Sequence, residues 1–315
     1  MASSVVKLNS GYTIPLLGLG TWLSKPGEVG DAVKVAVDIG YRHFDCAHCY
    51  QNEKEIGVAF EDVIKSGKVK REDLFITSKV WNTYHSKPMV KKNVDMILSD
   101  LKLSYLDLCL IHWPHGFQEG GDMFPKDKDG QIINSDVDYL DTWHGLEECV
   151  KEGKIRSIGV SNFNSQQIKL IIDNSTIKPA MLQVECHPYF QQNKMKEFCD
   201  QYDIRLTAYS PFTNPGSIFR QDGQVCVLND AVIADIAKKL NKSVPQVIVR
   251  WFIQRGICVI PKSSNPKRLQ ENFDVWNFSL TPEQMEAIKG VDTKSRMVKL
   301  ERDANHKYYP FAIEF

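Results

Sequence analysis

The chain has 315 residues, of which 43% are hydrophobic and 25% are charged, which is typical of an ordinary globular protein. Its 39 basic residues balance its 39 acidic residues, so the formal net charge is zero and neither nucleic acid nor an anionic membrane is indicated as a partner. We expect a cytoplasmic protein, because no apolar run reaches the roughly 18 residues of a membrane span, no signal peptide is recognisable, and the 8 cysteines are irregularly spaced.

Strand-like and helix-like patterns alternate along almost the whole chain. Residues 5–16 predict a short hairpin that turns at Asn9, Ser10 and Gly11. The strands that follow are predicted at residues 17–20, 42–45, 74–79, 106–112, 155–160, 181–185, 204–208 and 257–260. The helices are predicted at residues 28–39, 52–65, 87–102, 139–153, 164–173, 191–201, 230–240 and 244–254, with one more beginning near Lys267 and Arg268.

This alternation predicts parallel strands joined by crossover helices. Eight such strands suit a closed (β/α)8 TIM barrel of the α/β class, with the hairpin at its N-terminus and an irregular C-terminal tail over 291–315. An open doubly wound sheet is the alternative, because strand order cannot be read from sequence. No repeat or linker divides the chain, which favours a single domain over 1–315. Two more irregular stretches, 113–138 and 211–229, follow strand ends and are expected around an active site.

Four residues suited to proton transfer follow predicted strands: Asp45, Tyr50, Lys79 and His112. The carboxyl ends of parallel barrel strands converge on the face where active sites lie. A free phenol has a pKa of about 10, and a nearby ammonium lowers that pKa. Lys79 would therefore make Tyr50 a better proton donor, Asp45 would hold Lys79, and His112 would orient a carbonyl. The alternative is a core tyrosine beside an ordinary ion pair.

Two short motifs near these residues have simple interpretations. Cys46 and Cys49 are spaced as in CxxC and, with His112 and His115, would allow a zinc site, but their spacing fits no closed structural pattern. We therefore predict no metal and interpret the two cysteines as packing beside Tyr50.

The run GLGTWL (18–23) begins like a dinucleotide fingerprint. It lacks the third glycine, and Pro26 stands where a helix would have to begin. A Rossmann site is therefore rejected, and Gly18, Gly20 and Trp22 are interpreted as part of a pocket wall.

Short polar side chains follow the later strands. Ser161, Asn162 and Gln183 suit a carboxamide such as that of nicotinamide, although Ser161 and Asn162 would also suit an N-cap of helix 164–173. Tyr209 would stack on a flat ring, or it is a buried tyrosine whose hydroxyl is satisfied.

The end of the last strand carries basic residues. Lys262 and Ser263 follow that strand, and Lys267 and Arg268 begin the next helix. A strand end, a helix N-terminus and two kinds of cation together favour a phosphate site, with ordinary surface charge as the alternative.

These residues lie in motifs that resemble the aldo-keto reductase family, and in particular its aldose reductase-like members. The resemblance covers nearly the whole chain and is carried by PLLGLGTW (15–22), GYRHFDCAHCYQNEKEIG (40–57), LDLCLIHWP (106–114), GKIRSIGVSNF (153–163), LQVECHPY (182–189), AYSPF (208–212), IPKSSNPKRLQENF (260–273) and HKYYPF (306–311).

The resemblance implies a (β/α)8 barrel that binds NADPH and reduces aldehydes or ketones, with Tyr50 as the proton donor. The implied catalytic residues are Asp45, Tyr50, Lys79 and His112. The implied cofactor-binding residues are Gly20, Thr21, Trp22, Ser161, Asn162, Gln183, Tyr209, Ser210, Phe212, Lys262, Ser263, Arg268, Glu271 and Asn272. The implied substrate pocket consists of Trp22, Cys49, Trp81, Trp113 and Phe124, with no metal.

Three departures from the family pattern concern the substrate and the cofactor. Phe212-Thr-Asn-Pro replaces the Leu-Gly-Ser common after Tyr-Ser-Pro, the tail 299–307 is charged, and Cys49 stands where a small aliphatic residue is common. The tryptophans favour apolar or aromatic aldehydes over sugars. The family's default is a monomer, and a non-catalytic binding or structural protein on the same barrel is the alternative function.

Overall fold

The computed structural model describes residues 4–215 and 226–314. The chain begins with the predicted hairpin, in which β1 (Val5–Lys7) pairs antiparallel with β2 (Thr13–Pro15). The turn passes through Gly11 at φ 93°, a conformation that favours glycine. Ile14 is fully buried, so the hairpin packs on the barrel through one face.

The strands after the hairpin form one eight-stranded parallel sheet and a separate small ribbon. They are β3 (Leu19–Gly20), β4 (His43–Asp45), β5 (Phe75–Val80), β6 (Leu106–Ile111), β7 (Gly116–Phe117), β8 (Asn134–Ser135), β9 (Ile155–Ser161), β10 (Met181–Glu185), β11 (Arg205–Tyr209) and β12 (Cys258–Val259). The order in the large sheet is β12-β11-β10-β9-β6-β5-β4-β3, while β7 pairs with β8.

The sheet closes because its two edge strands also pair with each other. Leu17 bridges Val259 in parallel, Gly20 bridges Lys262, and the amide of Gly18 donates to the carbonyl of Val259 at 2.9 Å. The predicted (β/α)8 barrel is thus confirmed, and the open doubly wound alternative is wrong.

Both glycines of the GLG run lie where a Cβ would clash with a neighbouring segment. A Cβ on Gly20 would lie 2.7 Å from the carbonyl oxygen of Ile260, and one on Gly18 would lie 2.6 Å from the ring of His43. Their small size therefore lets this segment approach the neighbouring strands closely.

The helices surround the barrel at nearly the predicted positions. They are α1 (Val29–Ile39), α2 (Glu53–Lys65), α3 (Lys87–Leu101), α4 (Tyr139–Lys151), α5 (Ser165–Asn174), α6 (Asn193–Gln201), α7 (Ala231–Leu240), α8 (Val244–Gln254), α9 (Pro266–Phe273) and α10 (Pro282–Lys289). In α1 the apolar spacing buries one face, from Val29 to Val37, and Gly40 ends the helix at φ 121°.

One of the stretches predicted to be irregular holds more structure than expected. Residues 113–138 contain the β7–β8 ribbon, and helix α10 was not predicted at all. The tail beyond α10 consists of turns, as predicted, with short helical turns at Glu301–Asp303 and Pro310–Ala312. Much of the stretch 211–229 lies outside the described residues. Within the described parts of the chain, no helix is long and apolar enough to span a membrane.

Candidate active site

The four predicted catalytic residues meet at the carboxyl ends of three neighbouring strands. Asp45 ends β4, Lys79 stands one residue before the end of β5, and His112 directly follows β6. Tyr50 closes a short helical turn, His48–Tyr50, that follows β4. The parallel register therefore brings together four side chains that are up to 67 positions apart in the sequence.

Lys79 is the centre of this cluster. Its Nζ lies 2.7 Å from Oδ2 of Asp45, 2.8 Å from the carbonyl oxygen of Cys46 and 3.4 Å from the hydroxyl of Tyr50. Lys79 is fully buried and Asp45 is 2% exposed. Because both charges are removed from water, each depends on the other and on added hydrogen bonds. Gln183 supplies one of these, donating from Nε2 to Oδ1 of Asp45 at 2.7 Å.

The pKa of Tyr50 moves in the direction opposite to the one predicted. Burial raises the pKa of the phenol well above 10, and the negative charge of Asp45 adds to the rise. The expected lowering by Lys79 is therefore wrong for this arrangement, since desolvation and Asp45 outweigh the ammonium. Tyr50 consequently carries its proton at neutral pH and can act as a donor.

His112 is held as a neutral imidazole. Burial lowers the pKa of His112 well below 6.5, and the charge of Lys79 lowers it further. Its ring meets the edge of Tyr50 at a centroid distance of 5.9 Å and that of Trp81 at 5.3 Å. Its Nδ1 lies 3.5 Å from Sγ of Cys49.

The residues predicted to hold a carboxamide lie together and are buried. Asn162 donates from Nδ2 to the carbonyl oxygen of His112 and to Oγ of Ser161, both at 3.0 Å. The hydroxyl of Tyr209 donates to Oδ1 of Asn162 at 2.7 Å, so that hydroxyl is satisfied. The amide of Asn162 thus braces neighbouring strand ends.

The N-cap alternative for Ser161 and Asn162 is wrong. Helix α5 is capped by Asn164, whose side chain accepts from the amide of Gln167, and Gln167 returns a bond to the amide of Asn164. Asn162 instead adopts φ 64°, a left-handed conformation that asparagine tolerates better than most residues.

The GTW segment connects this cluster to the closing strands of the barrel. The hydroxyl of Thr21 donates to the carbonyl oxygen of Asp45 at 2.8 Å, and Asn52 donates to the carbonyl oxygen of Thr21 at 3.0 Å. Trp22 next to it is partly buried. Thr21 therefore fixes the backbone of Asp45 in place.

The predicted phosphate end lies at the start of α9. Asn265 caps this helix by accepting from the amide of Arg268, and Ser263 Oγ accepts from the amide of Asn265 at 3.1 Å. Lys262 and Arg268 are exposed, so both cations can reach a ligand. Partial burial lowers the pKa of Lys262, and the charge of Arg268 contributes to this shift.

The remaining predicted cofactor residues flank this region. Glu271 is partly buried and Asn272 is buried on α9, while Ser210 and Phe212 follow β11 and are partly buried. Ser210 adopts φ 51° after β11, and Asn162 adopts φ 64° after β9, so left-handed backbone conformations occur at two of the strand ends.

An aromatic cluster covers the tetrad on the side of the irregular segments. Trp81, Trp113 and Phe117 are buried together, and Cys49, Val298 and Leu300 pack against them. Trp81 also donates from Nε1 to the carbonyl oxygen of Met123 at 2.8 Å. Phe124, 38% exposed, lies 5.3 Å from the ring of Trp81. The predicted pocket residues beyond Trp22 therefore share one apolar wall.

The C-terminal tail completes this wall and is anchored by a residue that sequence reasoning missed. Glu185, at the end of β10, is fully buried. Its carboxylate accepts from the amides of Met297 at 2.7 Å and Val298 at 2.8 Å, and lies 2.9 Å from Nε2 of His187. The motif LQVECHPY contains Glu185, but nothing in the sequence indicates that its partner is the tail.

A second missed residue is Glu53, at the first position of α2. Oε1 accepts from the hydroxyl of Ser78 at 2.6 Å, and burial raises the pKa of Glu53 to about 8. Ser78 immediately precedes Lys79 on β5, so this carboxyl group lies behind the tetrad. The signal available in the sequence was a glutamate at a helix start between two apolar stretches.

The CxxC motif does not form a metal site. Cys46 is buried, and Cys49 faces His112, whereas Nε2 of His115 lies 3.3 Å from Oδ2 of Asp303. Across the part of the chain that the structure describes, no group of three or more His, Cys, Asp or Glu side chains is arranged to hold a metal ion.

A cavity of about 540 Å³ lies elsewhere, at the amino ends of the strands. Its lining includes Arg42, Phe75, Asp107 and Arg156, each of which directly precedes a strand or is one of its first two residues. Because active sites of these barrels lie at the carboxyl ends of the strands, we do not assign this cavity to the reaction.

The comparison with known proteins agrees with this geometry. Residues 16–293 match the aldo/keto reductase family, and the chain belongs to that family. It is therefore an oxidoreductase that acts on carbonyl compounds, as the resemblance implied.

Individual relatives cover almost the full chain. "Aldo-keto reductase family 1 member A1" from Gallus gallus is 45% identical over 316 residues, covering 97% of each chain. The protein of that name from Homo sapiens is 42% identical over 321 residues, covering 99% of each. The solved aldose reductase from Schistosoma japonicum has a TM-score of 0.94 and 43% identity, covering 99% of this chain and 100% of its own.

Proposed function

We propose that the protein reduces aldehydes and ketones to alcohols with NADPH, using Tyr50 as the proton donor. The observation that carries the proposal is the buried Lys79–Asp45 pair beside a protonated Tyr50 and a neutral His112, all at the carboxyl ends of barrel strands. The overall reaction consumes NADPH, a proton and a carbonyl compound, and it yields NADP⁺ and an alcohol.

The residues present fit this cofactor. Ser161 and Gln183 offer buried polar groups suited to a carboxamide, Tyr209 offers an aromatic ring, and exposed Lys262 and Arg268 offer cations for phosphate. NADPH, when bound, supplies the hydride. The cations at the start of α9 favour NADPH over NADH, because only NADPH carries the extra phosphate on its adenosine ribose.

Each member of the tetrad has one task in this mechanism. The hydroxyl of Tyr50 donates its proton to the carbonyl oxygen as negative charge develops there, and the raised pKa keeps the proton available beforehand. Lys79 stabilises the phenolate that remains, and Asp45 keeps Lys79 charged and in place. His112 orients the carbonyl oxygen through a ring N–H.

The aromatic wall indicates the kind of substrate. Trp81, Trp113 and Phe124 present apolar surface next to the tetrad. We therefore expect apolar or aromatic aldehydes to have a higher kcat/KM than small polar sugars. A higher kcat/KM for a sugar of similar size would overturn this expectation.

The test follows the loss of NADPH absorbance with an aromatic aldehyde, in wild type and in Tyr50→Phe. We expect turnover in wild type and a loss of at least about a hundredfold in kcat for the variant, the contribution typical of a positioned acid. Absence of turnover in wild type that still binds NADPH would favour a non-catalytic binding protein on the same barrel. We further propose a cytoplasmic monomer, which size-exclusion chromatography and cell fractionation would test.

A further inference from the structure

Cys49 contacts the histidine of the tetrad. Its Sγ lies 3.5 Å from Nδ1 of His112, and its side chain packs against the cluster that contains Trp81 and Trp113. Among the described residues, Cys49 is the one whose side chain lies within hydrogen-bond distance of a ring nitrogen of His112. His112 is 8% exposed, and Nε2 is the ring nitrogen left to meet a substrate.

The protonation states of the two groups limit this contact to a hydrogen bond between a neutral thiol and a neutral imidazole. A neutral imidazole has one N–H donor and one bare acceptor nitrogen, and which nitrogen carries the proton depends on the partner of the other. Burial keeps His112 neutral by lowering its pKa, and burial raises the pKa of the Cys49 thiol, which therefore keeps its proton. The thiol can then donate to Nδ1 when the imidazole proton is on Nε2, and its sulfur can accept from Nδ1–H in the other tautomer.

We infer that Cys49 is a positioning residue that donates its S–H to Nδ1 of His112 and thereby selects the tautomer with its proton on Nε2. That tautomer is the one that can donate a hydrogen bond to a carbonyl oxygen, so the inference rests on the proposed carbonyl reduction. The other tautomer would present a bare nitrogen to the carbonyl oxygen, and the two would repel.

One backbone turn places both the thiol and the proton donor. Cys49 and Tyr50 are consecutive in the turn His48–Tyr50, which follows Asp45 at the end of β4. A single local structure thus aims Tyr50 at the reacting oxygen and sets the proton on His112. An aliphatic residue at position 49 would fill the same space but would not bond to Nδ1. The tautomer of His112 would then depend on contacts with solvent and ligand.

The experiment compares Cys49→Val, which removes the donor, with Cys49→Ser, which keeps one. The tautomer of His112 is measured by nitrogen NMR on protein labelled at histidine, with the signals assigned by their loss in His112→Gln. We expect wild type and Cys49→Ser to hold the proton on Nε2, and Cys49→Val to populate both tautomers. We also expect kcat to fall about two- to tenfold in Cys49→Val, as suits one weak hydrogen bond, and to recover in Cys49→Ser.

The outcomes separate this inference from the proposed function. A proton on Nδ1 in wild type, or an unchanged tautomer in Cys49→Val, would overturn the inference without any assay of turnover. A changed tautomer with unchanged kcat would overturn the positioning role. If the tautomers of wild type and Cys49→Val differ as expected but wild type reduces no aldehyde, the proposed function is contradicted. The S–H···N contact would then remain supported. An equal Kd for NADPH in all variants shows that the cofactor site is intact.

Discussion

The buried Lys79–Asp45 pair stabilises the fold, and a double variant separates that role from the catalytic role that we propose for it. Lys79→Met leaves the Asp45 carboxylate buried without a counter-ion, which costs about 3–5 kcal/mol of folding free energy. Adding Asp45→Asn removes that orphaned charge. We therefore expect the double variant to regain most of the stability lost in Lys79→Met while remaining inactive, because Tyr50 still lacks the ammonium.

Chemical denaturation and a single-turnover assay measure these two quantities separately. Asp107 offers a matched control, since it is also buried and paired, with Arg71 at 2.7 Å, but is the second residue of β6, at the other end of the barrel. Asp107→Asn should reduce stability with little effect on the hydride-transfer rate. Recovery of activity in the double variant would contradict the role assigned to Lys79.

The buried carboxyl group of Glu53 makes the unfolding free energy depend on pH, and its raised pKa determines the direction of that dependence. Its folded pKa of about 8 exceeds its ordinary value of 4.5, so folding favours the protonated form. Below pH 4.5 Glu53 is protonated in both the folded and the unfolded state, so its ionisation does not change the unfolding free energy. Between pH 4.5 and 8 the unfolded chain loses its proton first, so the folded state becomes progressively less stable with rising pH.

Glu53→Gln should remove this loss, because glutamine keeps an oxygen for the Ser78 hydroxyl and cannot ionise. We expect the variant to exceed wild type in unfolding free energy by about 4 kcal/mol at pH 8 and by about 1 kcal/mol at pH 5. Urea denaturation at both pH values measures the difference. Parallel pH profiles for the two proteins would show that Glu53 does not titrate in this range.

Among the elements, the C-terminal tail depends on Glu185 for its position. Glu185→Gln keeps the shape but replaces one acceptor oxygen by an N–H₂ group that faces the backbone amides of Met297 or Val298. A buried donor left opposite a donor costs about 1–3 kcal/mol, so the tail should detach locally. We expect KM for an aromatic aldehyde to rise about tenfold while the Kd for NADPH is unchanged.

Glu314→Gln is the matched control for this prediction. Glu314 also joins the tail to the barrel, through Lys194 at 2.7 Å, but this pair is exposed and such pairs contribute little. Steady-state kinetics on both variants, with hydrogen exchange of residues 297–300, tests the anchor. Equal KM values in wild type and Glu185→Gln would mean that the position of the tail does not depend on the Glu185 carboxylate.

The elements that the sequence predicted are those with long, regular burial patterns. Strands such as β5 and β6, buried along their whole length, and helices such as α1 have a periodicity that pattern analysis detects. The β7–β8 ribbon has two residues on each side, too few for any period. Helix α10 carried a readable start signal, since Thr281 and Gln284 form a capping box.

The candidate site was predictable in its residue types and less so in its energetics. Strand ends identified Asp45, Lys79 and His112, because parallel register alone brings them together. The pKa of Tyr50 was not predictable, since its sign depends on how deeply the ring is buried. The use of the Gln183 amide by Asp45 likewise depends on contacts between residues 138 positions apart.

At the scale of the whole molecule, the barrel closes through β3, which has only two residues. Closure therefore depends on a close approach between the backbone of β3 and that of the segment after β12. A Cβ on Gly20 would lie 2.7 Å from a backbone oxygen, which cannot move aside as a flexible side chain can. We expect Gly20→Ala to lower the unfolding free energy by about 1–3 kcal/mol, the usual cost of overpacking. Gly121→Ala is the control, because a Cβ there meets open space.

If the chain is one cooperative domain, as we propose, the stability lost in Gly20→Ala must lower the unfolding midpoint of every part of the chain. Tryptophan fluorescence reports mainly on residues such as Trp81, Trp143 and Trp251, which lie on different sides of the barrel, and far-ultraviolet circular dichroism reports on all helices. In Gly20→Ala both signals should shift to the same lower denaturant midpoint, with unchanged slope. Separate midpoints for the two signals would mean that the barrel opens in parts, and the single-domain proposal would then fail even if Gly20 is required for closure.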